Sequence, residues 1–210
     1  AIIAVFVFQL TNDLDTSLEL TALDKQLVWD GQWWRLFTAA TVHVLIIHLY
    51  LNGQALYGIG SAIEFLSDRA HLAIVFLISI VGGALLSLFL MPEITSAGAS
   101  GGIMGLVGYL AIYGYRRKSQ LPPGFLRNLL INIGFIAVMG VVGYQFIDNA
   151  AHLGGLLSGA AYGFIQVPKD LSVDPRKVGM ITTVIGYVSL AIFVCFAALS
   201  ILLITKTITL

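Results

Sequence analysis

The chain has 210 residues, of which 58% are hydrophobic and only 10% charged, with 11 basic and 11 acidic side chains in balance. A water-soluble domain carries about a quarter charged residues, so composition excludes a soluble globular protein and points to the membrane. Zero net charge without a basic block excludes a nucleic-acid partner, and the single cysteine, Cys195, in an apolar run, supports neither a disulfide framework nor a metal site. No cofactor is expected.

A membrane-spanning helix takes about 20 apolar residues, and stretches without charge mark the candidates in chain order. Ala1–Leu10 is too short to cross and reads as the remainder of a truncated first helix; no charged leader or processing site marks a cleavable signal peptide. Thr11–Phe37 (residues 11–37) follows as a loop that is long for a simple connector, with "WDGQWWRLF" holding all three tryptophans, Trp29, Trp33 and Trp34. Six full spans are then expected, at Thr38–Ile63, Ala70–Met91, Ile94–Tyr115, Asn128–Ile147, Asn149–Val167 and Val178–Thr205 (residues 178–205). The expected fold class is an all-α polytopic membrane protein, one domain over residues 1–210, with a truncated first helix followed by six full spans.

Lysine and arginine set the orientation. Arg69, the group Arg116, Arg117, Lys118 and Arg127, and the group Lys169, Arg176 and Lys177 fall in alternate loops, which are therefore cytoplasmic; Lys25, Arg35 and Lys206 remain outside. The 11–37 loop is then external, and its tryptophans suit the headgroup region of the outer leaflet.

Polar side chains inside a membrane are costly and call for a functional reading. His43, His48 and Asn52 lie on the second segment, Ser100 on the fourth, and Asn149 and His152 on the sixth. At a rise of about 1.5 Å per residue, Ser100, His152 and Asn52 each stand roughly 24–25 Å above the cytoplasmic charges. In a hydrocarbon core of about 30 Å, that is one common level just beneath the outer surface. His48 and Asn52, four residues apart, share a helix face. His43 lies nearer the external loop, and His71 starts its helix at the cytoplasmic end, away from the cluster. Ala151, Gly155, Gly159 and Gly163 make a small face on the sixth segment, and Gly101 and Gly105 one on the fourth. Such faces let helix backbones approach closely in lipid, which would make Ser100 and His152 neighbours.

A serine hydroxyl becomes a nucleophile when a base takes its proton, and His152 is the base at that level. Ser100 opens its helix, where free N–H groups and the helix dipole favour a developing oxyanion, and Asn52 and His48 can donate to the same oxygen. Together these are the parts of an acyl-transfer site, a Ser–His dyad, since Asp148 sits one turn from His152 towards water. Each part has a plainer reading. "GASGG" fits a nucleophile elbow, but no strand precedes it, and glycines alone also serve helix packing. His152 can be a packed histidine bonded to a carbonyl, His48 and Asn52 can tie helices together, and Glu64 can anchor its helix end or pair with Arg69. A transporter is disfavoured because the cluster lies near one surface without an inverted repeat. There is no H-E-x-x-H metal motif.

At these residues the chain resembles the rhomboid intramembrane serine proteases. The likeness runs through "WR" (Trp34, Arg35), "HVLIIHLYLN" (His43, His48, Asn52), the acid Glu64, "GASG" (Gly98 to Gly101) and "NAAHLGGLLSG" (Asn149, His152, Gly155, Gly159). The resemblance implies Ser100 as nucleophile, His152 as general base and later acid, and an oxyanion hole from the Ser100 N–H, His48 and Asn52. It implies a six-helix core with the last span, residues 178–205, an extra seventh helix. It implies too that His43 helps hold the external loop, that Glu64 braces the fold, and that the site opens to the outside through a water-filled cavity. Substrates would be single-spanning membrane proteins in the lipid bilayer, cut near the outer face of a plasma or inner membrane. Entry would take a lateral opening, with the fifth span and the loop around Ser96 as moving parts. A catalytically inactive, client-binding relative is the rival function. One position departs from the pattern: many bacterial relatives carry a tyrosine four residues after the serine, where this chain has Met104.

Overall fold

The computed structural model describes residues 1–209. Ten α-helices follow in order: α1 Ile2–Asn12, α2 Leu14–Thr21, α3 Lys25–Trp29, α4 Arg35–Thr38, α5 Ile46–Leu66, α6 Arg69–Leu90, α7 Ser100–Arg116, α8 Phe125–Val142, α9 Asn149–Gln166 and α10 Met180–Ile204. Extended pairing among the described residues is confined to one isolated antiparallel bridge, Leu23 with Ser96. The fold is all-α, as the composition predicts.

Helices α6, α8 and α10 are each long and apolar enough to cross a membrane, and the pair Arg35–Thr41 and Ile46–Leu66 joins them if counted as one broken span. Helix α7 has 17 residues, about 26 Å at 1.5 Å per residue. Glycine and serine lower the hydropathy of α7 and α9, which pack on each other and on α6.

Helix starts have local causes. Asp68 accepts the Ala70 N–H at 2.7 Å to cap α6, and Asp148 accepts the Ala151 N–H at 2.8 Å to cap α9. Each satisfies one of the donors a helix N-terminus leaves unpaired. Helix α7 starts with no side-chain cap. The core lies among α6, α7 and α9, where Val75, Phe76 and Ile80 meet Ile103, Leu106 and Tyr109. Helix α10 packs on α6 and on α1, α2 and α4. There Phe196 stacks on Phe37 at 4.3 Å between ring centroids, and Ser200 Oγ lies 2.8 Å from Thr41 Oγ1. The seventh helix thus buttresses the 11–37 segment. Helix α8 stands apart, with Gly140 its one buried residue.

The basic loops gather at one end. Arg117, 1% exposed, donates to the carbonyls of Pro168, Asp170, Leu171 and Val173, and Arg116 donates to that of Val167 at 2.6 Å. At the opposite end meet the 11–37 segment, the linker between α6 and α7, and the entry to α9.

Several sequence-based boundaries move. The second span does not run straight from Thr38: Arg35–Thr41 meets Ile46–Leu66 at 94°, and Val42 and Leu45 are extended. The β-branched Val42 favours extended backbone, and the Gln9 side chain holds the His43 backbone from both sides, Oε1 accepting its N–H at 3.0 Å and Nε2 donating to its carbonyl at 3.3 Å. The fourth span starts at Ser100, not Ile94. Residues 91–99 are occupied by Pro92, by the bridge to Leu23, and by Gly98 at φ +121°. The 11–37 segment is three short helices rather than a plain loop; Arg35 organises it, donating to Gln32 Oε1 at 2.7 Å, the Ala22 carbonyl at 2.7 Å and the Glu19 carbonyl at 2.8 Å.

Candidate active site

Ser100 is the first residue of α7, and its Oγ lies 2.8 Å from His152 Nε2 on the first turn of α9. Both residues are half-buried. The two helices meet through their small residues. A Cβ on Gly155 would strike the Gly101 carbonyl, and one on Gly159 the Gly105 carbonyl. Backbone rests on backbone, which brings side chains of the two helices within hydrogen-bonding reach at their shared entry. Gly159→Leu is therefore expected to destabilise the folded protein by about 3 kcal/mol, the upper range for overpacking, read as a lowered thermal midpoint in detergent; an unchanged midpoint contradicts the close approach.

Gly98 shapes the other side of the site. Its φ of +121° is left-handed territory that side-chain-bearing residues rarely adopt. A Cβ there would lie 2.6 Å from His48 Cε1, 3.0 Å from His48 Nε2 and 3.7 Å from Asn52 Nδ2. The imidazole of His48 and the amide of Asn52 thus converge on the backbone two residues before Ser100. Asn52 also donates to the His48 carbonyl at 3.1 Å, which fixes its amide. Helix α7 begins beside them without a side-chain cap on its first N–H groups. A hydroxyl bonded to an imidazole beside a cluster of N–H donors is an arrangement able to perform acyl transfer.

The remaining sequence candidates take other places. Asn149 Nδ2 donates to the Gly140 carbonyl at 2.9 Å, tying α9 to α8. Gly101 faces the Ala151 backbone, with Ala151 O 3.5 Å from its would-be Cβ. His43 is fully buried; its ring packs edge-on against His48 with centroids 5.1 Å apart. Among the described residues its ring nitrogens bond no protein atom, so His43 is tied through its backbone to Gln9 rather than through its imidazole. Trp34 is half-buried beside Arg35. Glu64 is exposed, and the described ion pairs are Lys25–Asp148 and Arg176–Asp174. The brace expected of Glu64, or its pairing with Arg69, is therefore not found: at an exposed helix end water solvates both charges. Met104 is buried one turn after Ser100.

The contacts that gather at Asp148 escaped sequence reasoning. Asp148, besides capping α9, accepts hydroxyl bonds from Ser87 and Ser96 and pairs with Lys25 at 3.4 Å. The cap was legible, because an aspartate directly before an apolar run is a helix-start signal. The partners were not, since they lie 52 to 123 residues away in sequence. Burial alone would raise the Asp148 pKa, but the Ser87, Ser96 and Ala151 donors and the Lys25 charge outweigh it and hold the carboxyl below its ordinary 3.8. A depressed carboxylate stabilises the fold above its unfolded pKa and ceases to do so as pH falls through the folded one. The thermal midpoint is accordingly expected to fall on acidification below 3.8, and to fall less steeply in the double variant Lys25→Met/Asp148→Asn, which leaves no buried charge unpaired; parallel pH curves contradict this.

A family model described as the Rhomboid domain matches residues 30–169. The chain belongs to the rhomboid family. It is 32% identical over 153 residues to Rhomboid protease GluP of Bacillus subtilis, covering 71% of this chain and 29% of that protein. It is 35% identical over 163 residues to RHOMBOID-like protein 6, mitochondrial, of Arabidopsis thaliana, covering 73% of this chain and 50% of that one. With Rhomboid protease AarA of Providencia stuartii it shares 32% over 173 residues, 70% of this chain and 62% of that one. The chain thus spans less than two thirds of these relatives' own length. The matched rhomboid region contains every element of the site, from Trp34 to His152, and excludes α1, α2, α3 and α10.

Proposed function

We propose that the protein is an intramembrane serine endopeptidase that cleaves single-pass membrane proteins within or near their transmembrane segments through a Ser100–His152 dyad. The observation that carries this reading is the 2.8 Å contact between Ser100 Oγ and His152 Nε2. His152 takes the hydroxyl proton as Ser100 Oγ attacks the scissile carbonyl carbon. The electron pair displaced onto oxygen is met by the Ser100 N–H, His48 and Asn52. Collapse expels the amine, to which His152 Nε2–H donates, and leaves an acyl-enzyme. Water, deprotonated by His152, then adds to the ester carbonyl, and the second collapse releases the carboxylate product and restores Ser100. Asp148 holds its helix cap, so orientation of the imidazole falls to packing on α9.

A peptide bond inside a helix hides its carbonyl, so cleavage takes local unwinding, favoured by glycine or proline in the substrate. Entry from the bilayer takes a lateral opening, and α8 is the element least held by packing. Disulfide cross-linking of α5 to α8, in a chain with the exposed Cys195 replaced, is expected to block turnover of membrane substrates; unchanged turnover removes α8 as the gate. The charge asymmetry of the loops favours a multi-pass protein of a plasma or inner membrane with the site near the outer face.

The direct test is reconstitution with tagged single-span reporters in liposomes. Two fragments whose new terminus maps in or beside the span are expected. Reporters that bind the protein and stay whole across a panel would favour the client-binding alternative.

A further inference from the structure

Four segments distant in sequence meet at the Asp148 carboxylate. Its Oδ1 caps α9 through the Ala151 N–H at 2.8 Å. Its Oδ2 accepts the hydroxyls of Ser87, near the end of α6, and Ser96, in the linker between α6 and α7. Lys25 on α3, only 2% exposed, reaches the same Oδ2 at 3.4 Å and donates to Ser96 Oγ at 2.6 Å and to the Ile94 carbonyl. The backbone joins in: Leu23 N–H donates to the Ser96 carbonyl at 2.8 Å, and Ser96 N–H returns to Leu23 at 3.2 Å.

This node stands at the end of the α7–α9 contact where Ser100 and His152 meet. The two helices touch through glycines, Gly155 against the Gly101 carbonyl and Gly159 against the Gly105 carbonyl, so the spacing of Ser100 and His152 follows the relative placement of the two helix entries. The 2.8 Å Ser100–His152 contact does not survive a shift of even one ångström or so. Ser96 lies four residues before Ser100, and Asp148 four before His152. Pinning Ser96 to Asp148 therefore fixes the entry of α7 against the entry of α9. A buried ammonium is costly to desolvate unless paired and hydrogen-bonded, and Lys25 has both kinds of partner. The charged or titratable groups around the carboxylate are Lys25, with Asp24 beside it, and His152 on the same helix.

We propose that the Lys25–Asp148 pair positions the proposed dyad: the segment before the membrane core, through Lys25, holds the Ser96 linker on the cap of α9 and so sets the distance between Ser100 and His152. This inference rests on the serine-protease reading. Lys25 and Asp148 touch no reacting atom; they act through the backbone entries they join.

The test uses the full chain in detergent with a serine-directed fluorophosphonate, separating the maximal labelling rate, kinact, from the affinity, KI. Asp148→Asn and Lys25→Met alone leave one buried charge unpaired and can unfold the chain. The double variant Lys25→Met/Asp148→Asn removes both charges and keeps an asparagine helix cap. It is expected to label to the wild-type amplitude, with KI within about twofold and kinact at least about tenfold lower, as displaced reacting groups require. A purely structural role lowers amplitude and leaves kinact of the folded fraction unchanged; that result, or wild-type kinetics throughout, overturns the inference alone. A wild-type protein whose Ser100 does not label overturns the serine-protease reading and, with it, this inference.

Discussion

Replacing Ser100 with alanine is expected to lower reporter cleavage by on the order of 10⁴-fold or more, the scale on which a serine hydrolase loses rate without its nucleophile. His152→Ala is expected to match it, and the double variant to fall no further. Nucleophile and base act as one unit, so their losses do not add. The control is stability. Ser100 is half-buried at the uncapped start of α7, and losing its hydroxyl changes folding by no more than about 0.5 kcal/mol. A thermal midpoint equal to wild type, together with no cleavage, assigns the loss to chemistry. Residual cleavage at wild-type rates in Ser100→Ala removes the serine mechanism.

The second large effect is expected at the donors beside Gly98. His48→Ala and Asn52→Ala should each lower kcat by about 10² to 10³-fold with KM little changed, because an oxyanion donor acts on charge that exists only in the transition state. The Asn52 side-chain bond runs to the carbonyl of His48 on its own helix, at 3.1 Å, so removing it breaks no link between helices. Gly98→Ala is expected to reproduce much of the same loss by another route. Its new Cβ would sit 2.6 Å from His48 Cε1 and would load a backbone at φ +121° that alanine disfavours. The imidazole must then move away from the oxyanion. Steady-state kinetics on one reporter, with kcat and KM resolved, check all three. A rise in KM alone would make these residues substrate contacts rather than transition-state donors.

What the sequence makes legible here follows from what a membrane forbids. Intramembrane polar groups are too costly to be incidental, so Ser100, His152, His48 and Asn52 stand out against apolar neighbours, and a constant helical rise puts three of them at one level. The glycine faces of α7 and α9 are legible for the same reason, since close approach is a main source of helix association in lipid. The rest depended on long-range contacts. The 94° break before α5 arises from Gln9 gripping the His43 backbone across 34 residues, and no local pattern carries that. The Lys25–Asp148 node is invisible for a like reason: Lys25 reads as an ordinary charge in an external loop until the fold buries it. Glu64 shows the converse, a residue singled out by resemblance that the structure leaves exposed and without an ion-pair partner.

The central claim is that one hydroxyl is made nucleophilic by one imidazole across the α7–α9 contact. The measurement that tests it most directly is peptide-level mass spectrometry of the fluorophosphonate adduct on the wild-type chain and on His152→Ala. The account predicts a single phosphonylated residue, Ser100, in the wild type and its loss in His152→Ala at matched folded amounts. An adduct on any other residue, or on Ser100 with the same yield after His152 is removed, would contradict it.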